Sequence, residues 1–226
     1  MKTKLSIRPY ARLLTMLGDQ LIKNEQIAVL ELIKNSYDAD ADWVSLSFEN
    51  FNSDGSTRAD SKIVIEDNGE GMTKDIIETA WMSPATPNKF SNDGVVRRTK
   101  NKGRIVQGEK GIGRYAMLKL GHKIKMTTRP LNTSEEYSIL LDFSSYEDYA
   151  SLDEDGKNMY LDELSFELNV SSPKEFIERS VSVCNHIFDG SNNSHGTRLE
   201  ITELHGKWNK AKICLLYTSP SPRDGL

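Results

Sequence analysis

Cysteine is scarce in this chain. Cys184 and Cys214 are the two present among 226 residues, and no C-x-x-C pair occurs. A disulfide framework and a cysteine-rich zinc site are therefore excluded as organising features. Long apolar runs are missing as well. Tyr137-Ser-Ile-Leu-Leu-Asp-Phe143 is far too short to span a bilayer. Lys2 and Lys4 are not followed by the apolar stretch of a secretory signal. Neither charge dominates: the net charge of −4 rules out a whole-domain electrostatic grip on nucleic acid. His122, His186, His195 and His205 lack metal-ligand spacing and read as surface or packing residues. Trp43, Trp81 and Trp208 read as packing residues too. No internal repeat is visible. What these absences leave is a soluble, cytoplasmic protein with no membrane partner.

There is enough to build a core, since 37% of the residues are hydrophobic. A short helix is expected before Gly18-Asp19. A second runs from an Asn24 N-cap to Asp38. Alternation predicts strands at Trp43–Phe48 and Ser61–Glu66, and helical spacing follows at Asp75–Met82. Ser83–Gln107 carries Pro84, Pro87, Gly94, Gly103 and many charges with little periodicity. A loop of that length is usually functional or disordered. Arg114–Leu120 reads as a short helix capped by Gly121. Strands follow at Lys123–Thr128, Glu136–Phe143, Leu164–Val170 and Gly196–Thr202, with a helix at Pro173–Val183. Residues 144–195 form a poorly patterned insert. The mixed order of strands and helices predicts an α+β, two-layer domain over residues 1–213.

Three stretches carry chemistry. In Glu31-Leu-Ile-Lys-Asn-Ser-Tyr-Asp-Ala39, read at about 100° per residue, Glu31, Asn35 and Asp38 share one narrow arc. Val29, Leu30, Leu32, Ile33 and Tyr37 take the other side. The arc is either a polar surface stripe or a site. Asp67-Asn-Gly-Glu-Gly71 follows a strand. Gly69 and Gly71 permit close backbone approach, and Asp67 can accept from an exocyclic amine, although a plain turn also fits. Gly103-Arg-Ile-Val-Gln-Gly108 has the spacing of a P-loop, but Glu109-Lys110 follows where Lys-Ser/Thr is required. The glycine segment itself is Gly108-Glu-Lys-Gly-Ile-Gly113. Its order G-x-x-G-x-G is not the dinucleotide fingerprint either. Its three glycines and Lys110 still suit an anion, as they also suit a flexible connector. Lys89–Arg114 gathers basic residues that either tune this loop or contact nucleic acid.

Taken together and in order, E-x-x-x-N-x-x-D-A at Glu31–Ala39, D-x-G-x-G at Asp67–Gly71, G-x-x-G-x-G at Gly108–Gly113 and G-T at Gly196–Thr197 resemble the four boxes of the GHKL ATPases. That superfamily includes gyrase-type topoisomerases, ninety-kilodalton heat-shock chaperones, histidine kinases, MutL and MORC proteins. The resemblance covers roughly Gln20 to Thr202. It implies the Bergerat fold, a mixed sheet covered by helices on one face, with ATP and Mg²⁺ as ligands. Glu31 would orient the attacking water as general base. Asn35 would ligate Mg²⁺, with Asp38 in support. Asp67 would take the adenine amino group, helped by Thr197, in a pocket shaped by Gly69, Gly71 and Met72. Gly108, Lys110, Gly111, Ile112 and Gly113 would form the phosphate part of a lid whose loop is residues 83–107.

By the same resemblance, ATP binding and Mg-dependent hydrolysis drive a conformational switch and homodimerisation, acting on DNA or a protein client. The lid looks most like that of bacterial stand-alone, HSP90-like ATP-binding proteins. Glu31 argues against the histidine-kinase branch, where a hydrolytic base has no role. A non-hydrolytic nucleotide-binding module is the alternative from another class. Many relatives take a basic residue onto the γ-phosphate from a following domain, so slow turnover is expected of this chain. The tail from Cys214 to Asp224 resembles a translated sequencing adapter. Residues 214–226 are expected to be non-native and disordered.

Overall fold

The computed structural model describes residues 6–11, 13–83, 97–108, 113–144, 160–172 and 195–218. Its elements are helices α1 (Leu13–Leu21) and α2 (Glu25–Asp38), strands β1 (Val44–Glu49) and β2 (Lys62–Asp67), and a short helix α3 (Lys74–Ile76) continued by a π turn, Ile77–Trp81. A 3₁₀ segment, Gly113–Lys119, precedes β3 (Gly121–Arg129) and β4 (Glu136–Asp142). Then come β5 (Leu168–Ser171), β6 (Gly196–Leu204) and helix α4 (Lys210–Thr218).

The six strands form one sheet in the order β1-β2-β6-β3-β4-β5. Helices over a sheet bear out the α+β class. The mixed sheet is corrected, since every pairing in this sheet is antiparallel. Period-two alternation sorts the residues, because successive side chains point to opposite faces. Across the sheet Phe48, Ile63, Ile201, Ile124 and Leu141 lie in register, as do Leu46, Ile65, Leu199, Met126 and Ile139. These rows pack with Ala28, Val29 and Leu32 of α2 and with Ala116, Met117 and Leu118 of the 3₁₀ segment. The next register row is polar at its three central positions, Asp67, Thr197 and Thr128, between Val44 and Tyr137. It lies at the edge of the core, where the site is found.

The other face of the sheet carries an ionic ladder. Lys62 bridges Glu49 and Glu200, each at 3.0 Å. Arg198 bridges Glu200 at 3.1 Å and Glu66 at 2.6 Å. Burial pushes the Glu200 carboxyl up, but hydrogen bonds from Lys62 and Arg198 outweigh it and bring it down to about 2.

Three expectations need correction. The first helix does not stop at Gly18 but runs through it to Leu21. A Cβ at Gly18 would lie 2.8 Å from the Leu118 Cβ, so the glycine marks a close helix contact rather than a break. The long loop is structured over its last part: Thr99 N–H donates to Arg104 O and Val106 N–H to Arg97 O, at 2.7 and 3.0 Å, making a small hairpin. The tail does not lose order at Cys214, because α4 continues to Thr218 with Ile213 and Leu216 against the core. The helix expected at Pro173–Val183 lies outside the described residues. Asn24 caps α2 as expected, accepting from Ile27 N–H at 2.9 Å. No helix among the described residues is long and apolar enough to cross a membrane.

The ladder predicts an acid limb in stability. Glu200 is held below its ordinary 4.5, so its contribution is full above that value and is lost as pH falls toward about 2. Glu200→Gln should flatten the acid side of a melting-temperature profile followed by circular dichroism. An unchanged acid limb would remove Glu200 as its source.

Candidate functional site

A cavity of about 530 Å³ opens between α2, the inner face of the sheet and the segment after the hairpin. Its wall includes Glu31, Asn35, Asp67, Gly71, Met72, Gly108, Gly113 and Thr197, which the sequence singled out. Ile65, Ile76, Leu199 and Met117 give it apolar surface. Lys110, Gly111 and Ile112 lie outside the described residues.

At one end of the cavity is Asp67, the last residue of β2. Its carboxylate is buried and accepts from Ser36 Oγ at 2.7 Å, Gly69 N–H at 2.8 Å and Thr197 N–H at 3.3 Å. Burial raises its carboxyl above the ordinary carboxylate range, and those three donors pull the other way. Beside it, Thr128 Oγ1 accepts from Met72 N–H at 2.9 Å and lies 3.0 Å from Thr197 Oγ1. The turn that follows Asp67 needs its glycines. Gly71 has a φ of +66°, and a Cβ there would lie 2.1 Å from the Arg129 carbonyl oxygen.

At the other end is the polar arc of α2. Glu31 and Asn35 both face Gly113: a Cβ added there would lie 3.0 Å from Glu31 Oε2 and 3.8 Å from Asn35 Oδ1. Glu31 Oε1 accepts from Lys34 Nζ at 2.8 Å. A carboxylate and a carboxamide one helical turn apart on a cavity wall are hard oxygen donors. They suit Mg²⁺, which keeps several waters and takes few protein ligands.

Asp38 turns away from this pair. Its two oxygens accept from Gln107 N–H at 2.8 Å and Gly108 N–H at 2.9 Å, so it fixes the base of the glycine segment. Asp40 repeats the device on the hairpin turn, taking the Asn101 and Lys102 amides at 3.0 and 3.1 Å. Burial pushes the Asp40 carboxyl up, but donors from Thr99, Lys102 and Asn101 leave it lowered. Lys102 pairs with Asp42, and Arg104 donates to Ala41 O at 2.7 Å and covers the Tyr37 ring at 4.8 Å. Much of the basic segment thus binds the body of the protein. Arg114 donates to Ala80 O in the π turn, and burial lowers its guanidinium below the ordinary value.

Sequence reasoning missed Ser36, Lys34, Thr128 and Asp40. Ser36 left a signal: a lone hydroxyl on the apolar side of a helix needs a partner. Lys34 is three residues from Glu31, a spacing at which helix side chains meet. Thr128 becomes visible only once β3 is known to lie next to β6. Asp40, at a positive φ of 60°, left none.

Residues 23–175 match the family model described as histidine kinase-, DNA gyrase B-, and HSP90-like ATPase. No curated protein matches the chain.

Two substitutions probe the construction. Ser36→Ala removes a donor to a buried carboxylate and should cost about 1–3 kcal/mol in chemical denaturation. Asp38→Ala frees two amides, and hydrogen exchange should speed up at Gln107 and Gly108 while β2 and β6 stay protected. Unchanged exchange there would show that Asp38 does not anchor the segment.

Proposed function

The chain belongs to the histidine kinase-, DNA gyrase B- and HSP90-like ATPase family, and from that membership we propose that the cavity on α2 binds ATP with Mg²⁺ and hydrolyses the terminal phosphate. The observation that carries the reading is the seating of Gly113 against Glu31 and Asn35, with Asp38 holding Gln107 and Gly108. Both described ends of the glycine segment are thereby brought to the polar arc of one helix.

In this reading Asp67 receives the adenine amino group. An ionised carboxylate offers about four lone-pair sites, and three are used by Ser36, Gly69 and Thr197. The base rests on Ile65, Met72 and Leu199. Thr197 and Thr128 sit beside Asp67 to complete the polar edge. The triphosphate extends toward Glu31, where Asn35 would hold Mg²⁺ through its carboxamide oxygen. The ion, when bound, neutralises phosphate charge. Glu31 orients a water and takes its proton as the water oxygen bonds to the γ-phosphorus. The bond from that phosphorus to the β–γ bridging oxygen breaks, and ADP and phosphate result. Lid ordering and dimerisation would couple this to DNA or a protein client.

A second reading, nucleotide binding without turnover, draws on the Lys34–Glu31 pair: a carboxylate engaged by an ammonium is a poor base while the pair persists. One comparison separates them. Glu31→Gln should keep ATP affinity and lower phosphate release by about 10²–10⁴-fold. Equal release from both proteins would overturn Glu31 as base. Tight ATP binding with no release even from the unaltered chain would favour the second reading.

A further inference from the structure

We propose that Lys34 is the residue that reads the terminal phosphate, its ammonium passing from Glu31 to the γ-phosphate of a bound triphosphate and releasing the Glu31 carboxylate. This rests on the reading of the cavity as an ATP site. Glu31 and Lys34 are three residues apart on α2, and both line the cavity. The Nζ to Oε1 distance is 2.8 Å, with the Lys34 side chain 33% and the Glu31 side chain 28% exposed. A pair at that exposure is weakly held and exchanges partners readily. A terminal phosphate carries close to two charges and three acceptor oxygens, so it competes well with one carboxylate.

The other oxygen of Glu31 is beside Gly113, so any group reaching that glycine comes within reach of the same ammonium. The cavity has one further cation among the described residues that line it, Arg114. Its guanidinium is tied to the Ala80 carbonyl and therefore belongs to the π turn. Lys100, Lys102 and Arg104 do not line the cavity, and the last two are engaged with Asp42 and Ala41. Among the described residues, Lys34 is thus the ammonium placed next to the candidate base. The arrangement makes base release conditional on a triphosphate: with a diphosphate Lys34 stays on Glu31. A surface ion pair that merely supports the helix would be indifferent to the nucleotide.

Calorimetric titration of the full chain with ATP and with ADP, each with Mg²⁺, tests this. The unaltered chain should prefer ATP. Lys34→Met should weaken ATP by roughly ten- to a hundredfold, the loss of one charge-assisted hydrogen bond, and leave ADP within about twofold. Lys34→Arg should restore most of the preference, and Glu31→Gln should preserve it. Circular dichroism melts confirm that each variant is folded. If Lys34→Met keeps the ATP preference of the unaltered chain, or that chain does not distinguish ATP from ADP, the role of Lys34 is overturned while the ATP site stands. If the unaltered chain binds neither nucleotide, the ATP reading falls and this inference falls with it.

Discussion

A carboxylate removed from water must be given donors, and Asp67 draws its donors from three parts of the chain. Ser36 comes from α2, Gly69 from the turn after β2, and Thr197 from β6. Each bond fixes an element that the site requires. The Ser36 bond sets the rotation of α2 about its axis, and with it the direction of Glu31 and Asn35. The Gly69 bond sets the turn that carries Gly71 and Met72. The Thr197 bond holds β6 beside β2, although 130 residues separate the partners. An unpaired buried carboxylate would cost far more than any of these bonds contributes singly. The cavity and the fold are therefore specified by the same interaction.

Rows of the sheet explain why the cavity lies where it does. Two rows in register are apolar and pack against helices, and the third is polar at its centre, Asp67–Thr197–Thr128. Close apolar packing gives way at that row to hydrogen bonds, with Asp67 meeting Ser36 of α2 at the margin of the cavity. The opposite face solves a different problem. There Glu66, Arg198 and Glu200 are nearly buried, and alternating charge along the ladder satisfies each of them.

Legibility of these features in the sequence followed the range of the interactions that make them. The strands β1 to β4 and the helix α2 were readable because period and capping are local. The candidate site was readable in pieces: the arc on α2, the turn at Asp67 and the glycine segment each announce chemistry within a few residues. What joins the pieces is long-range. Nothing near Thr128 says that β6 will insert between β2 and β3. Gly18 was misread because a helix contact and a helix stop ask for the same residue. The segment 97–107 was misread because its order comes from Asp40, Asp42 and Ala41, which lie some 60 residues away.

Four acids lie within twelve residues of one another, from Glu31 to Asp42, and their partners give them unlike tasks. Asp38 spends both carboxylate oxygens, and Asp40 its Oδ2, on backbone amides of the hairpin and the glycine segment. Asp42 takes Lys102, and its carboxyl is lowered chiefly by that hydrogen bond. Only Glu31 keeps its carboxylate on the cavity wall. The consequence for phosphate chemistry is direct. Because the hairpin's Lys102 and Arg104 are committed to the body of the protein, their charge fixes the hairpin and is not offered to a ligand. Among the described residues, charge for a triphosphate then comes from the cavity wall and from backbone amides. On that wall the ammonium next to Glu31 is Lys34, so the group that restrains the proposed base and the group that would meet the phosphate are one side chain.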